Sequence, residues 1–290
     1  MDRSSLFLKL NDQLYDLSTP IVMGILNVTP DSFFMASRLR SDRTLLHQAE
    51  KMLTEGASIL DVGGYSTRPQ AALVSIDEEK ERVGDALEMI RKRFPKAILS
   101  VDTFRSSVAR MAVEDYDVAM INDVGGGLLD PQMFETVAAL GKAYVLMHTR
   151  GTPQTMQQMT QYDALIPELL QYLEKRVAQL RLLGVNDIII DPGFGFAKTM
   201  EQNYEILRYL SYFQHIDVPV LAGVSRKSMI QKLLKVDADK ALNGTTAVHM
   251  LALVGGASIL RVHDVKEASE AIKVFTAWRG TNNEFQPTQQ

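Results

Sequence analysis

The sequence predicts an α/β fold: a (β/α)8 TIM barrel preceded by an N-terminal β-hairpin. Three observations predict it. Apolar, strand-like runs alternate with amphipathic stretches along nearly the whole chain, the signature of a parallel sheet. Roughly eight such units fit a chain of 290 residues. Polar residues close nearly every strand, at Asn27, Asp61, Asp102, Asn122, His148, Asp191, Ser225 and Arg261. An open doubly wound sheet would concentrate its site at one switch point. A barrel gathers all the strand ends around one mouth, so the spread of polar ends favours the barrel.

The elements follow in order. Leu6 to Leu17 alternate around the turn formers Asn11-Asp12, a hairpin signal. Ile21 to Val28 is a nearly continuous apolar run, as in a strand buried on both faces. Further strand-like runs occupy Ala57–Val62, Ala97–Val101, Val118–Ile121, Ala143–Met147, Asp187–Ile190, Val218–Ala222 and Ser258–Val262. Helical periodicity marks Leu45–Leu53, Glu78–Phe94, Leu165–Leu183 and Ala268–Trp278. Gly56, Gly141 and Gly184 end helical stretches, where a left-handed residue is needed. The expected organisation is a hairpin over 1–19, one barrel over 20–280 and a polar tail over 281–290.

Composition narrows the function. Hydrophobic residues make up 46% of the chain, enough for a full core. Lys and Arg number 31 against 35 Asp and Glu, a net charge of −4, which argues against a general nucleic-acid binder. There is no cysteine, so disulfides, thiolate nucleophiles and cysteine-ligated zinc are excluded. Apolar runs fall well short of the ~20 residues that span a bilayer, and Met1-Asp2-Arg3-Ser4-Ser5 lacks the apolar segment of a signal peptide. The expectation is a soluble cytoplasmic protein with no membrane or nucleic-acid partner.

Chemistry-bearing residues collect at the strand ends. Asn27, in Asn27-Val28-Thr29-Pro30-Asp31-Ser32-Phe33, offers an amide oxygen to a hard cation, although the same residues also suit a turn. Gly63-Gly64-Tyr65-Ser66-Thr67-Arg68-Pro69 combines close backbone approach with an Arg and hydroxyls able to hold a phosphate. Asp102 and Asn122 can accept from and donate to a flat heterocycle bearing an amino group and ring N–H groups. Asp102 also reads as a helix N-cap. His148 reads as a hydrogen-bonded wall, since no second His stands at metal-ligand spacing. Asp191-Pro192-Gly193-Phe194-Gly195-Phe196 joins a strand-end carboxylate to phenylalanines able to wall a planar ligand. Lys227, in Ser225-Arg226-Lys227-Ser228, suits a phosphate or a ring carbonyl. Arg261 and His263 leave the last strand on the same side.

In this order and at these strand ends, the segments resemble the dihydropteroate synthases, the pterin-binding enzymes of folate biosynthesis, from Ile21 to Asp264. The resemblance implies a barrel, usually dimeric, that joins 4-aminobenzoate to 6-hydroxymethyl-7,8-dihydropterin diphosphate with Mg²⁺ as cofactor and releases pyrophosphate. Asn27 would hold Mg²⁺. Asp102, Asn122, Asp191 and Lys227 would grip the pterin, and Met147 and Phe196 are further expected substrate-binding residues. Thr67, Arg68, Arg261 and His263 would bind the diphosphate. Thr67, Pro69 and Ser228 would flank the aminobenzoate. Asp102, Lys227, Arg261 and His263 are the expected catalytic residues, and the loops after Asn27 and Gly64 are expected to act as lids. Sulfonamides, as aminobenzoate mimics, are the expected inhibitors. The chain departs from the family pattern at Tyr65, Gln70, Thr149 and Arg150, all in loops. A pterin-binding methyltransferase barrel would not need Thr67-Arg68 or Arg261-Val262-His263. A catalytically silent pterin binder would lack one of Asn27, Asp102, Lys227 or Arg261, and this chain has all four.

Overall fold

A computed structural model describes residues 6–11, 13–28, 38–65 and 74–280. The chain opens on an antiparallel hairpin, β1 (Phe7–Leu10) with β2 (Gln13–Asp16). Asn11 takes the left-handed conformation at its turn. Then come β3 (Ile21–Asn27), α1 (Arg38–Thr54), β4 (Ile59–Gly63), α2 (Ile76–Arg93), β5 (Leu99–Asp102), α3 (Ser106–Tyr116), β6 (Met120–Asp123) and α4 (Met133–Leu140). The second half holds β7 (Ala143–Met147), α5 (Leu165–Leu182), β8 (Ile188–Asp191), α6 (Met200–Arg208), β9 (Leu221–Ala222), α7 (Ser228–Leu234), α8 (Leu242–Val254), β10 (Ile259–Val262) and α9 (Val265–Gly280).

Strands β3 to β10 form one parallel sheet in the order β8-β7-β6-β5-β4-β3-β10-β9. A parallel bridge between Ile190 and Val220 joins its two edges and closes the barrel. The predicted strands are therefore present. Several begin and end one or two residues later than the apolar runs, and Asp102, Asn122 and Asp191 are ladder residues at or near the strand ends where the sequence places them. The Val218–Ala222 run shrinks to two strand residues.

Alternation along the strands separates two cores. Leu60, Val62, Leu99, Val101, Ile121, Leu146, Ile190, Leu260 and Val262 pack outward on the helices. Met23, Ile59, Met120, Val145, Ile189, Leu221 and Ile259 pack inside the barrel with Leu8, Leu10 and Leu17 of the hairpin. The hairpin thus plugs the N-terminal end of the barrel, and Lys9 N–H donates to Asp187 at the start of β8. With that end filled by apolar side chains, the inward positions near the C-terminal ends are left for polar groups.

Candidate active site

Register places the polar ends on a few levels. Asn27 lies beside Gly63, Gly63 beside Asp102, and Asp102 beside Asn122. Met147 lies beside Asp191. Met147 and Asp191 share the inward face with Val145 and Ile189, two residues below them on their strands. The expected pterin residues therefore converge from four consecutive strands, and the loop after β9 adds Lys227.

Their contacts form two linked groups. Arg261 reaches inward from β10 and donates through Nε to Asp61 at 2.6 Å and through Nη2 to Asp102. Asn122 donates to the same Asp61 oxygen at 2.9 Å. Asp61, which belongs to the strand-end pattern but has no role in the resemblance, is fully buried. The Asp102 side chain does not cap α3. The residue before that helix is Arg105, without a side-chain capping bond. Burial pushes the Asp102 carboxyl up to about 7; Arg261 opposes the shift and Asp61 reinforces it. Burial alone would lower the Arg261 guanidinium, but Asp61 and Asp102 more than offset it and hold the group charged.

The second group surrounds β8. Burial raises the Asp191 carboxyl, and Lys227 acts against it. Asp191 accepts from Gly193 N–H at 2.7 Å. A Cβ on Gly223 would lie 3.7 Å from Asp191 Oδ2 and 3.9 Å from Lys227 Nζ, so both groups face the inner side of that glycine. Burial lowers the Lys227 ammonium to about 8. Lys227 donates to Phe194 O and sits 4.8 Å from the centre of the Phe196 ring. The two phenylalanines of this loop part company, and only Phe196 keeps its ring beside Lys227. The Phe194 side chain turns into the outer core, where it is fully buried.

Lys198 is a site-supporting residue that strand-end reasoning missed. Its buried Nζ donates to Gly193 O at 3.0 Å and Phe196 O at 2.9 Å, and lies 3.1 Å from His148 Nδ1. Burial lowers it to about 7 and lowers His148 to about 2, so His148 is a neutral hydrogen-bonded wall. Gly193 holds φ +76°, and a Cβ there would meet His148 O at 2.0 Å. Gly193→Ala is expected to cost about 2 kcal/mol or more in stability, with pterin affinity falling in parallel. Thermal unfolding and a pterin titration check it.

Asn27 and His263 stand exposed on the rim. His263 Nδ1 is 3.1 Å from Ser225 Oγ. Ser228, at the start of α7, is exposed. Arg226 is engaged by Asp264 at 2.7 and 2.8 Å, which leaves Lys227 as the cation of that loop that faces inward. Tyr65 is buried edge-on against Phe104, with the Arg105 guanidinium over its ring. Arg150 pairs with Glu168 at 2.5 Å. Thr67, Arg68, Pro69 and Gln70, and the expected lids beyond Val28 and Tyr65, lie outside the described residues. Among the described residues no group of three or more His, Asp or Glu could hold a metal ion.

Comparison with known proteins agrees with this geometry. Residues 23–263 match the family described as pterin binding enzyme. Dihydropteroate synthase of Escherichia coli strain K12 is 43% identical over 264 residues, covering 90% of this chain and 93% of that protein. The enzyme of Synechocystis sp. is 44% identical over 262 residues, covering 89% and 90%. The Yersinia pestis dihydropteroate synthase, solved as a sulfonamide drug complex, superposes with TM-score 0.87 at 39% identity, covering 95% of this chain and 100% of that one. The Xanthomonas albilineans enzyme with 4-aminobenzoic acid also gives 0.87, at 36% identity over 95% and 99% of the two chains. The chain belongs to the pterin binding enzymes, in the dihydropteroate synthase family.

Proposed function

We propose that this chain catalyses the dihydropteroate synthase reaction of folate biosynthesis, joining 4-aminobenzoate to 6-hydroxymethyl-7,8-dihydropterin diphosphate with release of pyrophosphate. The observation that carries the reading is the convergence of Asp102, Asn122, Asp191, Lys227 and Arg261 at the mouth of one barrel. Carboxylates there accept from the amino and ring N–H groups of a pterin, and Lys227 donates to an acceptor on the ring. Phe196 and Met147 supply apolar contact.

The chemistry follows from charge. The C–O bond between the pterin methylene and the diphosphate breaks, and its electron pair leaves on the diphosphate oxygen. Positive charge develops on the pterin. Buried carboxylates stabilise that charge strongly, because the surroundings screen little. The aromatic amine then forms a C–N bond to the methylene and loses a proton. No enzyme nucleophile is required.

Mg²⁺ fits the donor set in one mode only. Asn27 is a neutral amide on the exposed rim, and the neighbouring inward ends of β4 and β5 are Gly63 and the Arg261-paired Asp102. An ion held by one amide needs water and substrate phosphates for its other ligands, as Mg²⁺ prefers. When bound it supplies positive charge to the leaving diphosphate. Calorimetry is expected to show weak Mg²⁺ binding to the protein alone and tighter binding with pyrophosphate present. Tight binding without pyrophosphate contradicts the assignment of Asn27.

Two finer readings accompany the proposal. We place the chain in the cytoplasm, in keeping with its mildly acidic charge; among the described residues no helix is long and apolar enough to cross a membrane. We also propose a homodimer. Leu233 and Leu234 on α7 and Leu251 and Val254 on the neighbouring α8 are about half exposed, apolar surface that a second copy would cover. The function is tested by pyrophosphate release with both substrates present. Release that depends on 4-aminobenzoate supports it, and no release under any condition refutes it.

A further inference from the structure

We propose that Asp61 is a positioning residue for catalysis: it neutralises Arg261 from below, so that the charge of the ionised Asp102 is left free to act on the pterin. The inference rests on the reading of the site as a dihydropteroate synthase centre. It assigns a role to a side chain to which the resemblance gives none.

Depth is the first support. On β4, Gly63 is level with Asp102, and Asp61 is level with Ser100, two residues before Asp102 on β5. Two residues along a strand is one layer on the same face. Asp61 therefore lies one layer beneath the mouth, and it is fully buried. Above it β4 presents only Gly63, where a Cβ would stand 3.3 Å from the Asp102 Cβ.

Connectivity is the second. One oxygen, Asp61 Oδ2, accepts from both Arg261 Nε and Asn122 Nδ2. The other, Oδ1, has no hydrogen-bond partner among the described residues. A guanidinium is a rigid planar fork. Fixing its Nε fixes the direction of its Nη2, which here points at Asp102. Asp61 thus sets the orientation of two groups in the ring from a position outside it.

Charge is the third. Arg261 is shared between two carboxylates. With Asp61 as its lower partner, the trio carries a net negative charge, and the surplus lies on the side of the reacting methylene. Without the Asp61 charge, Arg261 and Asp102 form a closed neutral pair. A neutral pair stabilises a developing cation far less than a carboxylate does.

The titration of Asp102 provides a readout. The groups that act on it are Arg261 from β10, Asp61 from β4, Glu79 from α2, Asp123 from β6 and Lys227 after β9. Of these, Arg261 and Lys227 favour its ionised form, and the three carboxylates oppose it. Activity that requires ionised Asp102 falls as pH drops through its pKa. Removing the Asp61 charge leaves Arg261 to act on Asp102 alone, so the acidic limb moves to lower pH while the plateau rate drops.

The experiment is a pH–rate profile of Asp61→Asn beside the unaltered protein, with the affinity of a diphosphate-free pterin measured on both. Asparagine keeps the shape and one acceptor. The expected result is a plateau kcat lower by roughly tenfold or more, an acidic limb at lower pH, and pterin affinity changed much less than kcat. Combining Asp61→Asn with Asp102→Asn is expected to give a kcat no lower than Asp102→Asn alone, because Asp61 acts through Asp102. An unmoved limb with unchanged kcat, or losses that simply add in the double variant, overturns the proposal. If Asp61→Asn does not fold, Asp61→Ser carries the same comparison. Failure of the unaltered protein to release pyrophosphate or bind pterin would instead refute the functional reading.

Discussion

Replacing Arg261 with alanine is expected to lower pterin affinity and turnover together, each by about 100-fold or more. The sequence places Arg261 with His263 on the diphosphate, and on that reading a pterin without phosphates would bind the variant normally. The structure draws Arg261 inward, between Asp61 and Asp102. Removing it leaves two buried carboxylates without their cation. Losing one partner of a buried pair costs about 3–5 kcal/mol, because the remaining charge stays desolvated. The protein escapes part of that cost by protonating Asp102, which burial already holds near neutrality. A protonated Asp102 is a poorer partner for the pterin, and it cannot stabilise a cation. Steady-state kinetics and calorimetry with a diphosphate-free pterin check the prediction. Normal binding of that pterin beside a collapsed turnover would return Arg261 to the diphosphate. Arg261→Lys is expected to recover only part of the loss, because an ammonium cannot meet two carboxylates with a planar fork.

The barrel was legible because its physics is local. Strands buried on both faces read as apolar runs, and helices between them read as stripes of period 3.6. Strand boundaries were less legible. Ala57 and Ser58 are apolar or small like the strand that follows, but Ala57 N–H donates back to Met52 O at the end of α1, and β4 starts at Ile59. Asp102, Asn122 and Asp191 read as strand ends, and they are ladder residues of β5, β6 and β8, held at the mouth by strand pairing.

The site was legible as a set of strand ends, but not as a set of contacts. Parity gives the face of a side chain and says nothing about which inward group it meets. Asp61 and Arg261 are 200 residues apart in sequence, and only barrel closure brings β4 and β10 to opposite sides of β3. Lys198 gave no signal at all. A lysine just before a helix reads as a solvated cation. It is buried because the left-handed Gly193 and Gly195 fold the preceding loop back until two of its carbonyls face the ammonium. Phe194 and Phe196 look equivalent in sequence, yet the turn between them sends one ring to the core and keeps the other at the mouth.

Replacing Asp191 with alanine is expected to weaken pterin binding by about 30- to 1000-fold, the equivalent of about 2–4 kcal/mol for a lost buried charged hydrogen bond. Two roles meet in this carboxylate. It balances Lys227, whose ammonium burial already lowers to about 8, and it faces inward to accept from the ligand. The first role is structural and the second is recognition, and a second substitution separates them. In Asp191→Ala alone, Lys227 is a buried cation without its counter-charge, so stability falls along with affinity. In Asp191→Ala combined with Lys227→Met, the unbalanced Lys227 charge is gone and only Lys198, held by the Gly193 and Phe196 carbonyls, loses a favourable neighbour, so stability is expected to recover in large part. Pterin affinity is not expected to recover, because the acceptor for the ring N–H groups and the donor to the ring are both absent. Asp191→Asn fills the same space and keeps an acceptor for Gly193 N–H, but presents an amide where the ligand needs a second acceptor. Its affinity is expected to lie near that of the alanine variant, with unfolding close to the unaltered protein. The measurements are thermal unfolding and pterin titration on all three variants. Wild-type pterin affinity in Asp191→Ala, or recovery of affinity together with stability in the double variant, would show that Asp191 only balances Lys227, and its place in the pterin site would be lost.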